Sequence, residues 1–233
     1  MPEPRGIVFD LDDTLYPYRA FVRSGLRVIG QRIAREYAVS TSLIARALRR
    51  ATIDEVRGRE VQALCASLAL PASIVPSLVA ILRDHSPSLR LPCESRRVLT
   101  ALRGNWKVGV LTNGTPEIQR RKLAALGVPA LVDAVVIATE VGDRHGKPST
   151  TAFRAALDRL DLSPERAVFV GDDEQADIAG AAAAGMQTIH VLAHRSPALT
   201  CRSAQCATHV RSIGDVPGVA NGLVPARTEC HVV

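Results

Sequence analysis

Lysine is scarce in this chain, and its basic residues are nearly all arginine, with lysine only at positions 107, 122 and 147. Aromatic residues make up only 3% of the sequence. The net charge of +6 could accompany nucleic-acid binding, but the arginines are scattered and few aromatic rings are present to stack on bases. We therefore expect no nucleic-acid partner.

Long apolar runs are also missing. No stretch approaches the roughly 18 uninterrupted apolar residues of a membrane-spanning helix. The first six residues, MPEPRG, lack the apolar centre of a signal peptide. We expect no membrane association and a cytoplasmic location.

Cysteine is present in an odd number, five, at irregular spacing, which argues against a disulfide framework. The C-terminal region does hold residue types that bind zinc. These residues are Cys201, Cys206, His209, Cys230 and His231. Their spacing matches no compact zinc module.

Short Val/Ile-rich runs without polar alternation are typical of strands buried on both faces of a parallel sheet. Such runs occupy residues 6–10, 107–111, 134–138, 167–171 and 188–192. Helical patterns lie between the later runs, at 116–126, 149–160 and 174–184. This alternation predicts an α/β fold, with a Rossmann-like three-layer core around a parallel sheet.

The segment between the first two predicted strands has helical periodicity instead. Val22, Leu26, Ile29 and Ile33 recur on one helical face, and further helices are predicted after residue 40, over 60–70 and over 72–83. We predict a helical domain at 16–93, inserted into an α/β core of residues 1–15 and 94–222. A last strand is indicated at 208–210, followed by loops around Pro217 and a flexible tail at 223–233.

Polar side chains follow several predicted strands, at the point where each strand ends. Asp10 and Asp12 follow the first, Thr112 and Asn113 the second, and Asp172, Asp173 and Asp177 the fourth, while Lys147 precedes a helix. Ligands of open parallel sheets bind at the carboxyl ends of the strands. We therefore expect these side chains to meet at one edge of the sheet.

Clustered carboxylates repel one another unless a cation lies between them. Mg²⁺ prefers carboxylate and carbonyl oxygens and keeps waters that a phosphate can replace. Thr112, Asn113 and Lys147 supply hydrogen-bond donors and one positive charge for such a phosphate. The sequence therefore predicts a site for Mg²⁺ and a phosphoryl group, with a small phosphorylated substrate.

The set of motifs resembles the haloacid dehalogenase (HAD) superfamily, phosphatase type. Its four motifs occur in order, as Asp10-x-Asp12-x-Thr14, then Thr112, then Lys147, then Gly171-Asp172 with Asp177, over residues 6 to about 192. The helical insert is similar to the family's C1-type cap, which closes over the substrate.

The resemblance implies a role for each residue. Asp10 would be the nucleophile that forms an aspartyl-phosphate, and Asp12 the general acid and base. Thr112 and Lys147 would hold the phosphate, and Lys147 would also offset the charge of the nucleophile. From its position alone, Asn113 is either a further phosphate contact or a turn former ahead of Gly114. Mg²⁺ would be bound by Asp10, the carbonyl of Asp12 and Asp172. Asp177 or Asp173 would support the metal through water or orient Lys147.

The resemblance leaves alternatives of different classes. Asp12 argues against dehalogenation, and the absence of lysine from residues 16–93 argues against a phosphonatase. We expect a Mg²⁺-dependent phosphomonoester hydrolase. A phosphomutase of the β-phosphoglucomutase kind and a non-catalytic binding or regulatory domain stay open, and the sequence does not indicate an oligomeric state.

Overall fold

The structure is a computed structural model that describes residues 4–53, 58–142, 145–192 and 208–224. The chain divides into two compact units, one of Met1–Pro17 with Leu91–Val233 and the other of Tyr18–Arg90. Among the described residues, no helix is both long enough and apolar enough to cross a membrane.

The first unit is built on a sheet whose described strands number six, in the order β3-β2-β1-β4-β5-β6. Every neighbouring pair is parallel. The strands are β1 Gly6–Phe9, β2 Lys107–Thr112, β3 Ala134–Ile137, β4 Ala167–Gly171, β5 Gln187–Val191 and β6 His209–Val210. The α/β prediction is confirmed, and the strand order reverses between β1 and β4.

Helices cover the sheet because β1, β2 and β4 are apolar on both faces. Helices α7 (Thr150–Leu160) and α8 (Gly180–Ala183) pack against Val8, Leu111 and Phe169. Helices α5 (Cys93–Leu102) and α9 (Val216–Leu223) contact each other and the strands β2, β4 and β5. Helix α6 (Pro116–Leu126) follows β2 and ends at Gly127, whose φ of 68° is the left-handed cap that glycine favours.

The second unit is helical. Its helices are α1 Tyr18–Glu36, α2 Thr41–Ile53, α3 Glu60–Ser67 and α4 Val75–Asp84, with a short 3₁₀ turn at Ala72–Ile74. Val22, Leu26, Ile29 and Ile33 of α1 are buried, as their spacing predicted.

Three local predictions need correction. Pro217 does not mark a loop: it lies in the first turn of α9, where its missing N–H costs no helical hydrogen bond. Val224, predicted to begin a flexible tail with Leu223, is buried, and its carbonyl accepts a hydrogen bond from Arg5. The predicted helix from Glu174 is π-helical over Glu174–Ala179 before α8 begins. Residues 225–233, and Cys201, Cys206, Cys230 and His231, lie outside the described residues.

Candidate active site

Asp10 lies immediately after the central strand β1, at the carboxyl edge of the sheet. Its N–H donates to the carbonyl of Val170 at 2.8 Å, which extends the pairing of β1 with β4 by one residue. Its side chain is buried, with the whole residue 6% exposed. The sheet therefore holds this carboxylate rigidly at the point where the strand order reverses.

Lys147 joins two of the carboxylates. Its Nζ lies 2.5 Å from Oδ1 of Asp10 and 2.6 Å from Oδ1 of Asp177, and it also donates to the carbonyl of Leu111 at 3.3 Å. Burial acts to lower the pKa of Lys147, but Asp10 and Asp177 raise it above its ordinary value. Lys147 is therefore positively charged at neutral pH.

Asp177 lies inside the π-helical segment and is almost fully buried. Its Oδ2 accepts hydrogen bonds from the backbone N–H groups of Asp172 and Asp173, each at 3.2 Å. Asp177 therefore orients both the ammonium of Lys147 and the loop that carries Asp172. The side chain of Asp173 accepts from the N–H groups of Gln175 and Ala176 at 2.9 and 2.8 Å, so it caps the helical segment.

Asp10, Asp172 and Asp177 form a group that fits a hard cation. Each offers one carboxylate oxygen, and these oxygens lie within 4.8 Å of one another. Burial raises the pKa of Asp10 well above its ordinary value, Lys147 opposes this, and Asp177 and Asp12 add to it. A divalent cation would relieve this repulsion, and the all-oxygen donor set suits Mg²⁺.

The carboxylate of Asp12 lies among donors from two segments of the chain. Oδ1 accepts from the hydroxyl of Tyr16 at 2.6 Å and lies 3.0 Å from Nζ of Lys122. Oδ2 lies 2.8 Å from the same Nζ and 3.3 Å from Nε2 of Gln119. The side chain of Asp12 is not one of the three in the cation group.

Thr112 and Asn113 follow β2, as predicted, but their side chains have different partners. Oγ1 of Thr112 accepts from Nε2 of Gln119 at 2.5 Å, which leaves the hydroxyl proton of Thr112 to point elsewhere. Asn113 accepts from the N–H of Lys147 at 2.8 Å and donates to its carbonyl at 2.9 Å. The Asn113 side chain thus ties the loop after β2 to the loop that carries Lys147.

The structure brings the predicted residues together around one edge of the sheet, and it adds four that were not among the predicted site residues. His190 lies 2.9 Å from the carbonyl of Asp172 through Nε2. The other three residues contact the carboxylate of Asp12 and are Tyr16, Gln119 and Lys122. The scarcity of lysine was a usable signal for Lys122, since two of the three lysines are buried in this site.

The model of the haloacid dehalogenase-like hydrolases matches residues 4–185. The chain belongs to this family, as the four motifs led us to expect.

Two relatives agree with this assignment. The chain is 30% identical over 197 residues to glyceraldehyde 3-phosphate phosphatase of Methanopyrus kandleri. The aligned region covers 80% of this chain and 83% of that protein. The chain is also 41% identical over 91 residues to phosphoserine phosphatase of Thermus thermophilus. Here the aligned region covers 39% of this chain and 36% of that protein. The match therefore spans only about a third of the second relative.

The fold is similar to that of the HAD-hydrolase YfnB from Bacillus subtilis, solved bound to magnesium. The TM-score is 0.65 at 18% identity, and the match covers 94% of this chain and 99% of that one. At this identity the likeness concerns the fold.

Proposed function

We propose that this protein is a Mg²⁺-dependent phosphomonoester hydrolase that acts on a small phosphorylated metabolite through an aspartyl-phosphate. The observation that carries the proposal is the buried contact of Lys147 with Asp10 and Asp177, beside the group of three carboxylates. Phosphatase names among the matched relatives support the same chemistry. The cytoplasmic location stays a prediction.

Asp10 is the proposed nucleophile. One of its oxygens attacks phosphorus in line with the ester oxygen, so that a bond from Asp10 to phosphorus forms while the bond to the leaving oxygen breaks. The positive charge of Lys147 stabilises the phosphoryl oxygens and offsets the charge of Asp10. The hydroxyl of Thr112, whose oxygen accepts from Gln119, donates its proton to a phosphoryl oxygen.

Asp12 is the proposed general acid and base. Asp12 must carry a proton when the substrate is bound; this proton passes to the leaving oxygen in the first step, and in the second step Asp12 takes a proton from the water that attacks the aspartyl-phosphate. The products are an alcohol and inorganic phosphate, and Asp12 returns to its starting form. Asn113 contributes by fixing the backbone of Lys147.

Asp10, Asp172 and the carbonyl of Asp12 are the proposed ligands of Mg²⁺. Asp177 holds Lys147 and the loop that carries Asp172, so its support of the cation is indirect. When bound, Mg²⁺ neutralises charge on the attacking carboxylate and on the phosphoryl oxygens.

The test is release of inorganic phosphate from a panel of phosphomonoesters, with MgCl₂ and with EDTA. The panel includes glyceraldehyde 3-phosphate, phosphoserine, sugar phosphates and nucleoside monophosphates. The wild type is compared with Asp10→Asn and with the matched control Asp13→Asn. Asp13 lies in the same loop with φ of 62°, a conformation that asparagine adopts readily.

We expect Mg²⁺-dependent release by the wild type and by Asp13→Asn, and none by Asp10→Asn. Release that persists in EDTA or in folded Asp10→Asn would contradict the proposal. Conversion of one sugar phosphate to another without free phosphate would favour a phosphomutase instead.

A further inference from the structure

Asp12 is held on both of its carboxylate oxygens by three buried side chains. Tyr16, Gln119 and Lys122 are 0%, 1% and 3% exposed. Lys122 contacts both oxygens, Tyr16 contacts Oδ1 and Gln119 contacts Oδ2. We call Tyr16, Gln119 and Lys122 the Asp12 clamp.

The clamp arises from local structure as well as from long-range packing. Gln119 and Lys122 are three residues apart on α6, so they project from the same face of the helix. Tyr16 is brought back over Asp12 by a tight loop in which the N–H of Asp13 donates to the carbonyl of Tyr16 at 2.8 Å. Donors thus approach the carboxylate from two separate segments.

These contacts constrain the torsion angles of the Asp12 side chain. A carboxylate bonded at a single oxygen can turn about its Cβ–Cγ bond, whereas contacts to both oxygens from different directions oppose that rotation. Gln119 also donates to Oγ1 of Thr112 at 2.5 Å. The carboxylate of Asp12 and the hydroxyl of Thr112 are therefore held in a fixed relation through one amide group.

We propose that Lys122, with Gln119 and Tyr16, is a positioning residue that keeps the Asp12 carboxyl group aimed at the leaving oxygen. The inference rests on the proposed function, in which Asp12 donates a proton to that oxygen. Small displacements of a reacting group lower rates steeply, by up to about a hundredfold for 1 Å. Lys122 acts through Asp12 and not on the substrate.

The test compares substrates whose leaving groups differ in their need for a proton. Glycerol 2-phosphate expels an alkoxide that needs the proton of Asp12, whereas 4-nitrophenyl phosphate expels a stable phenolate. The quantity compared is kcat/KM, which depends only on the steps up to and including cleavage of the P–O bond. Lys122→Met removes the ammonium, Lys122→Arg keeps the charge, and Lys107→Met is a matched control at the opposite end of β2.

We expect Lys122→Met to lower kcat/KM for glycerol 2-phosphate by about tenfold to a hundredfold and that for 4-nitrophenyl phosphate by less than about threefold. Lys122→Arg should recover part of the loss, and Lys107→Met should match the wild type on both substrates. An equal loss on both substrates would overturn the proposal, since a merely structural role has no reason to depend on the leaving group.

A double-substitution cycle asks whether Lys122 acts through Asp12. In an Asp12→Asn background, Lys122→Met should cause less than about a threefold further loss on glycerol 2-phosphate, because the group it positions is already gone. A further loss as large as in the wild-type background would overturn the proposal. If Lys122→Met does not fold, Tyr16→Phe serves in both experiments, since it removes only the hydroxyl.

The activity of the wild type distinguishes failure of the proposed phosphatase function from failure of the proposed positioning role of Lys122. A wild type that is inert on both substrates and on the whole panel of phosphomonoesters refutes the phosphatase assignment. The clamp is then judged from crystal structures of the wild type and Lys122→Met. A displaced Asp12 carboxylate in the variant would support positioning by Lys122, and an unmoved one would overturn it.

Discussion

Gly171, the last residue of β4, is the position where the smallest substitution should do the most damage to the site. A Cβ at residue 171 would lie 2.5 Å from both Cβ and Cγ of Asp177, a distance that real Cβ contacts do not reach. The Cβ of Asp177 is anchored to the helical backbone, so it cannot move away as the tip of a long side chain can. Gly171→Ala should therefore displace Asp177.

The magnitude follows from what Asp177 contacts. Overpacking in a closely packed interior costs about 1–3 kcal/mol. Each weakened hydrogen bond to a charged group costs about 1.5–3 kcal/mol, and Asp177 contacts Lys147 and two backbone N–H groups. We expect a loss of about 4 kcal/mol in the free energy of unfolding, which lowers Tm by roughly 8–16 °C for a chain of this size.

The assay is thermal unfolding combined with phosphate release, with Gly109→Ala in β2 as the matched control. A Cβ at Gly109 would meet Cδ1 of Leu160 at 2.9 Å, the end of a flexible side chain that can turn aside. Gly109→Ala should lower Tm by only a few degrees and keep activity. Gly171→Ala should also lower kcat/KM by about a hundredfold, since Lys147 loses its orientation. Equal Tm values for the two variants would refute this reasoning.

Three further predictions concern the same fold. Asn113→Ala should lower kcat/KM about tenfold with a smaller change in Tm, because the loop of Lys147 loses two hydrogen bonds; unchanged kinetics would contradict this. Mg²⁺ at about a hundred times its Kd should stabilise the wild type by about 2.7 kcal/mol and Asp172→Ala by much less, as thermal unfolding measures. Burial raises the pKa of the Cys65 thiol, so its reactive thiolate forms only at higher pH. Iodoacetamide at neutral pH should therefore label the exposed Cys93 well before Cys65, and peptide mass spectrometry checks the order.

The parts of the fold that could be predicted are those with a local physical cause. The β4 run 167–171 is apolar throughout because both of its faces are buried, and its predicted bounds match the strand. Helix α6 was bounded by Pro116 in its first turn and Gly127 at its end. The prediction of loops around Pro217 was wrong, because Pro217 lies in the first turn of helix α9.

The part of the site that could not be predicted depends on long-range contacts. Lys122 and Asp12 are 110 residues apart in the sequence, and nothing in the spacing of either motif indicates that they meet. Asn113 was predicted to contact phosphate, and a single sequence could not show that its amide bonds the backbone of Lys147. Strand ends identify which residues meet at the sheet edge, whereas hydrogen-bond partners depend on packing.

Asp10 is proposed to form a covalent bond to phosphorus, and this bond can be observed directly. The most direct measurement uses Asp12→Asn with 4-nitrophenyl phosphate and Mg²⁺, because that leaving group departs without a proton and water activation is impaired. Acid quenching, borohydride reduction and peptide mass spectrometry then locate the phosphorylated residue as homoserine. We expect homoserine at position 10 in Asp12→Asn and none in a variant that also carries Asp10→Asn. Release of nitrophenol with no modification at position 10, or with modification at another aspartate, would contradict it.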